Sequence, residues 1–126
     1  MDHLVRMLLF DNVLINATGS SESGATDLRH VTRIESLLIK AASATGDASV
    51  KVEYAISPDD VSYGSYDDEA DILDDNENFA ANVEGWHAVT MPNIVAQYAK
   101  LKVTGLADNP TDTRVTAYLL VRETIN

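Results

Sequence analysis

Three separate stretches of the chain alternate apolar and polar residues with a period of two, and few folds accept that pattern. In Ala48–Ser57, Val50, Val52, Tyr54 and Ile56 fall on one face, with Ser49, Lys51, Glu53 and Ala55 on the other. In Tyr98–Thr104, Ala99, Leu101 and Val103 oppose Tyr98, Lys100, Lys102 and Thr104. In Arg114–Glu123, Val115, Ala117, Leu119 and Val121 oppose Thr116, Tyr118, Leu120 and Arg122. Side chains alternate across a strand, so each stretch predicts a strand with one buried face. No segment longer than about ten residues keeps the 3.6-residue period of an amphipathic helix.

The intervening segments add strands and turns. Leu4–Ile15 is apolar with imperfect alternation and reads as a strand, a short helix being the alternative. Asn16–Thr26 carries Gly19, Gly24 and several Ser/Thr residues and reads as a loop. Arg29–Ala44 is the next ordered stretch, and Thr45-Gly46-Asp47 reads as the turn of a hairpin into Ala48–Ser57. Pro58 stops that strand, because proline has no amide for a ladder. Gly85–Met91 predicts one more short strand. The six to eight short strands imply an all-β fold, an antiparallel β-sandwich of jelly-roll type. Residues 1–15 are expected to form an N-terminal arm or edge strand, and residues 16–126 a single sandwich domain.

Charge excludes several partners. Nine Lys+Arg against 20 Asp+Glu give a net charge of −11, which opposes binding to nucleic acid phosphates and to anionic membranes. There is no cysteine, so disulfides, thiol catalysis and thiolate metal sites are excluded. The apolar run Met7–Phe10 is too short for a signal peptide, and no run reaches the roughly 18 residues of a membrane span.

Catalytic chemistry finds little support. The histidines are His3, His30 and His87, and no Gly-x-Ser-x-Gly elbow, phosphate loop or zinc spacing occurs. The chain is read as a non-enzyme without a cofactor. Between Lys51 and Lys100 lie eleven Asp/Glu and no Lys or Arg. Pro58–Asn82 therefore reads as a long acidic loop, solvated or facing a partner, with calcium a lesser reading. Asp67, Asp71, Asp74 and Asp75 are weak metal candidates, since an EF-hand needs glycine at its sixth loop position. Counting from Asp67 or Asp71, that position holds Ile72 or Asn76. Trp86 and Tyr54 read as core-filling, while Tyr63 and Tyr66 are candidates for a contact surface. Together these four rings could instead form a sugar-stacking platform.

The order of strands and turns resembles a known family. Val50-Lys51-Val52-Glu53-Tyr54-Ala55-Ile56-Ser57-Pro58-Asp59 is followed by Tyr63, then by Tyr98-Ala99-Lys100-Leu101-Lys102-Val103-Thr104, and after a turn by Val115-Thr116-Ala117-Tyr118-Leu119. This resembles the small β-sandwich auxiliary proteins of tailed-phage virions, over roughly Thr26–Arg122. The sequence departs from that pattern at Asp60, where a glycine often follows the Asp, and in its acidic insertion. The resemblance implies a capsid decoration or cement protein on the virion exterior, bound to the major capsid protein, commonly as a homotrimer. On that reading Leu4, Met7, Leu9, Phe10, Tyr63 and Tyr66 are the partner-binding candidates. A carbohydrate-binding module of a tail or host-attachment protein is the alternative. The apolar residues of 1–15 either complete the chain's own sheet or cover another subunit.

Overall fold

Alternating side chains build two sheets that face each other. In a computed structural model, residues 2–66, 78–79, 86–91, 94 and 96–124 are described. They form β1 (Asp2–Ile15), β2 (Ser20–Glu22), β3 (Thr26–Asp27), β4 (Val31–Ala42), β5 (Ala48–Ser57), β6 (Asn78–Phe79), β7 (His87–Val89), β8 (Tyr98–Gly105) and β9 (Thr113–Thr124). One sheet has the order β1-β9-β4-β7; the other runs β2-β8-β5-β6, with β3 beside β2 on the same edge of β8. Every pairing is antiparallel. With β2 and β3 taken as one interrupted strand, these two orders are those of a jelly roll.

The three alternating stretches became β5, β8 and β9. Ala99, Leu101, Val103, Val115, Leu119 and Val121 are fully buried, as are Leu37 and Ile39 of β4. Burying a side chain of this size stabilises the fold by roughly 1.5–3 kcal/mol. On β5 the expected inner face holds for Val50 and Val52, but Ile56 is 43% exposed.

Two expectations need correction. Thr45-Gly46-Asp47 does not turn a hairpin, because β4 pairs with β9 and β7 while β5 pairs with β8 and β6. The β4–β5 link steps from one sheet to the other. It is held by Asp112, whose carboxylate accepts hydrogen bonds from Ser43 Oγ, Thr45 Oγ1 (2.8 Å) and Ala44 N (3.2 Å). These donors keep the Asp112 carboxyl below its ordinary pKa. Trp86 does not fill the core either; it is 50% exposed.

The ragged alternation of β1 has a structural cause. Its register against β9 shifts between Leu8 and Phe10 and again between Phe10 and Val13. Each shift is a β-bulge that flips the phase of the side chains. Val5, Met7, Leu9, Phe10, Val13 and Ile15 therefore all reach the core. Asn12, at the second bulge, has φ 51°.

Asn109 ties the strands together at one end of the sandwich. Only 4% exposed, it donates to Ile15 O at 2.9 Å and accepts from Ser49 N and Thr113 Oγ1, each at 2.9 Å. Gly105 lies against it, and a Cβ there would stand 2.1 Å from Asn16 O, so only glycine lets the two backbones approach.

Candidate functional site

Three surfaces carry the residues singled out by the sequence: the β1 edge, the outer face of the β2-β8-β5-β6 sheet, and the outer face of the β1-β9-β4-β7 sheet.

Among the described residues, β1 lies at the end of its sheet, with β9 its only partner strand. Its other edge offers backbone donors and acceptors to a partner. Of the arm candidates, Leu9 and Phe10 are 9% and 2% exposed and belong to the chain's own core, while Met7 is half-buried against it. Leu4 faces outward at 51%, joined by Leu8 (54%) and Leu14 (48%). Residues 2–15 thus complete the chain's own sheet and leave Leu4, Leu8 and Leu14 outward. Leu8 and Leu14 belong to the apolar arm but not to the partner-binding candidates named from the sequence, because the bulges hide which residues share a face.

On the second surface, the segment after β5 folds back over the sheet. Asp59 opens the turn, its Oδ1 accepting from Ser57 Oγ, Val61 N and Ser62 N, which holds its carboxyl below the ordinary range. Asp60 follows with φ 62°. This is the position at which the phage-type pattern often has glycine, and Asp is among the few other residues that tolerate it. Tyr63 OH donates to Asp60 Oδ1 at 2.6 Å, and its ring lies 4.4 Å from Lys100 Nζ. The Tyr66 ring lies 4.6 Å from Lys102 Nζ. Its hydroxyl is buried, with no partner at hydrogen-bonding distance among the described residues. Beneath them Glu53, 2% exposed, pairs with Lys51 at 3.6 Å. Both tyrosines are half-buried lids over this sheet.

Burial pushes the Tyr63 phenol up to about 12, with the Asp60 carboxylate adding to the effect. Burial likewise pushes Tyr66 up to about 12, helped by the Glu22 and Glu53 carboxylates. Between the ordinary value of 10.0 and about 12, the unfolded chain binds fewer protons at these positions than the folded one. Stability should therefore fall as pH rises through that window. The tyrosinate absorbance of the folded protein should contain components ionising near pH 12, one lost in Tyr63→Phe and another in Tyr66→Phe. Unchanged titration curves in both variants would refute the lid geometry.

The third surface gathers rings and cations. Trp86 and Tyr118 stand with centroids 5.6 Å apart and planes tilted by 44°. The Arg6 guanidinium is 5.1 Å from the Tyr118 ring, and Lys40 Nζ is 5.2 Å from the Trp86 ring. Trp86 therefore contacts the β1-β9-β4-β7 sheet, whereas Tyr63 and Tyr66 contact β8 of the other. Of the four rings suggested as one sugar platform, Trp86 lies on one outer face, Tyr63 and Tyr66 on the opposite one, and Tyr54 packs against the core. Tyr118 was legible only as an outward residue of β9, since its partners come from β1 and from the segment leading into β7.

Asp67, Asp71, Asp74 and Asp75 lie outside the described residues. Among the described residues, no cluster of three or more His, Cys, Asp or Glu could hold a metal ion. No helix among the described residues is long and apolar enough to cross a membrane.

No protein-family model matches the chain, and no curated protein matches it. A solved structure described as "Bacillus endospore appendages form a novel family of disulfide-linked pili" is similar at 10% sequence identity, covering 100% of this chain and 92% of that chain, with a TM-score of 0.44.

Proposed function

We infer that the chain is a structural virion protein that binds and stabilises a phage capsid, decorating its exterior. The observation that carries this reading is the β1 edge: a fourteen-residue outer strand with Leu4, Leu8 and Leu14 about half exposed. An open edge of that length can accept a strand from the major capsid protein, with main-chain hydrogen bonds supplying affinity and the leucines supplying contact area. The strand-and-turn order from Thr26 to Arg122 supports the same reading through its resemblance to phage auxiliary proteins. A decoration protein needs a stable fold and a docking surface, and commonly acts as a trimer.

The test is cosedimentation with empty capsids. Leu4→Lys combined with Leu14→Lys places charge along the edge, a device that natural edge strands use against pairing. Both side chains already meet solvent, so the fold should persist. Capsid affinity is expected to drop at least about tenfold, equivalent to roughly 1.4 kcal/mol. Equal binding by the double variant would remove the β1 edge from the interface. A wild-type chain that does not sediment with capsids would overturn the decoration reading itself.

A further inference from the structure

The Trp86–Tyr118 surface lies on the opposite face from the tyrosine lids and borders the capsid-docking edge, from which it takes Arg6 of β1. We propose that it is a binding site for an acidic carbohydrate, in which Trp86 and Tyr118 hold a sugar ring and Arg6 and Lys40 hold its carboxylate.

The site is a shallow concavity of about 290 Å³ lined by Arg6, Leu38, Trp86 and Tyr118. That volume is at the small end of the roughly 300–1,000 Å³ common for ligand sites, and it suits one sugar ring at a time. Four elements build it. Arg6 comes from β1, Tyr118 from β9, and Leu38 and Lys40 from β4; Trp86 precedes β7. In-register pairing brings Leu8, Tyr118, Leu38 and Ala88 into one row across the sheet. Tyr118 thus stands on a paired strand and Trp86 immediately before another, which fixes the notch between them.

Two properties point to the ligand class. The first is the aromatic pair. Trp86 keeps half its surface in water, and its ring plane is tilted by 44° to that of Tyr118, so the two do not stack on each other. A ring with one apolar C–H face can stack there; Leu38 supplies an apolar floor. The second is charge. In a chain with 20 Asp+Glu, Arg29, Arg33, Lys51 and Arg122 pair with carboxylates; among the described residues Lys100, Lys102 and Arg114 do not, the two lysines resting on Tyr63 and Tyr66 of the opposite face. Arg6 and Lys40 have no carboxylate partner among the described residues; they rest on the rings of Tyr118 and Trp86. A chain with net charge −11 has abundant acids with which to neutralise two cations, yet none of the described carboxylates pairs with Arg6 or Lys40 beside this concavity. An anion that also carries a stackable ring satisfies both features. Uronic and sialic acids do so; neutral sugars leave the cations unused, and inorganic anions leave the rings unused.

The full chain would be titrated against oligosaccharides of galacturonic, glucuronic and sialic acid, against the carboxyl-reduced form of each, and against polyglutamate. The expected result is binding of at least one acidic glycan about tenfold or more tighter than its reduced counterpart. Trp86→Ala should weaken it at least about tenfold, with Lys40→Gln and Arg6→Gln each weakening it several-fold. Lys40→Gln and Arg6→Gln change charge at the rim of the site and should leave the melting temperature unchanged, so a failure to fold cannot mimic the effect. Tyr63→Ala, on the opposite face, should bind as wild type. The proposal is overturned by binding to none of the acidic glycans, by equal affinity for the reduced forms, or by full affinity in Trp86→Ala. Polyglutamate binding that equals the glycans and is lost in the same variants would also overturn it, and would make the surface a dock for an acidic polypeptide.

Discussion

Removal of residues 1–15 is expected to abolish cooperative folding. The deletion takes away β1, which pairs with β9 from Asp2 to Ile15. Without it β9, which lies between β1 and β4, becomes an edge strand along its whole length. The core loses Leu9, Phe10 and Ile15 outright, all nine-tenths buried or more, and the half-buried Val5, Met7 and Val13 packed against them. Burial of the first three alone contributes about 5–9 kcal/mol, which is comparable to the whole net stability of a small domain, about 5–15 kcal/mol. Thermal unfolding followed by circular dichroism should show no sigmoidal transition, and the amide NMR spectrum should collapse to the dispersion of an unfolded chain. A truncated protein that melts cooperatively within a few degrees of the full chain would mean that β1 is dispensable in its own domain. It would restore the picture of a detachable arm that covers another subunit.

The same strand shows what the sequence could and could not disclose. Alternation identified β5, β8 and β9 and named the buried faces of β8 and β9, because the extra residue at each register shift against β9 lies in β1 or β4; on β5 it failed at Ile56. β1 was visible as an apolar strand, but its faces were not. Each bulge depends on how β1 meets β9, more than a hundred residues later in sequence. The hairpin expected at Thr45-Gly46-Asp47 failed for a related reason. A Gly-Asp turn between two strands is a local signal, whereas the partner that anchors this link, Asp112, is remote. β2 and β3 escaped notice because they have three and two residues, too few to display a period, and are ordered by pairing with β8.

The candidate surfaces were legible in the same uneven way. Tyr63 and Tyr66 stood out through a run of loop residues, and they do lie together over one sheet. Trp86 looked like a core residue because a lone tryptophan in an apolar stretch usually is one. Its position on an outer face follows from pairing of β7 with β4, where Leu38 is matched with Ala88 and Ile39 with His87. That pairing puts Trp86 beside Lys40 and Tyr118, a grouping assembled from residues 32 and 46 positions away in the chain.

Asn109→Ala should cost about 3–5 kcal/mol, a loss out of proportion to the few atoms removed. The side chain has a carboxamide carbonyl and amide that serve three segments at once. Its Nδ2 satisfies the carbonyl of Ile15 at the end of β1; its Oδ1 takes the amide of Ser49 on β5 and the hydroxyl of Thr113 on β9. All are buried, so water cannot replace what alanine removes. Each buried donor or acceptor left alone costs about 1–3 kcal/mol, and the cavity left beside Gly105 adds to it. Asn109→Asp separates the contributions. The carboxylate keeps both acceptor contacts but turns its second oxygen, now negative, against the Ile15 carbonyl. It should be as harmful as alanine at neutral pH and recover partly at a pH low enough to protonate it, since the acid form can donate to that carbonyl again. Chemical denaturation of the three proteins at two pH values reads both effects. A loss below about 1 kcal/mol for Asn109→Ala would mean that the end of the sandwich holds without its polar knot, and that apolar burial alone joins β1, β5 and β9 there.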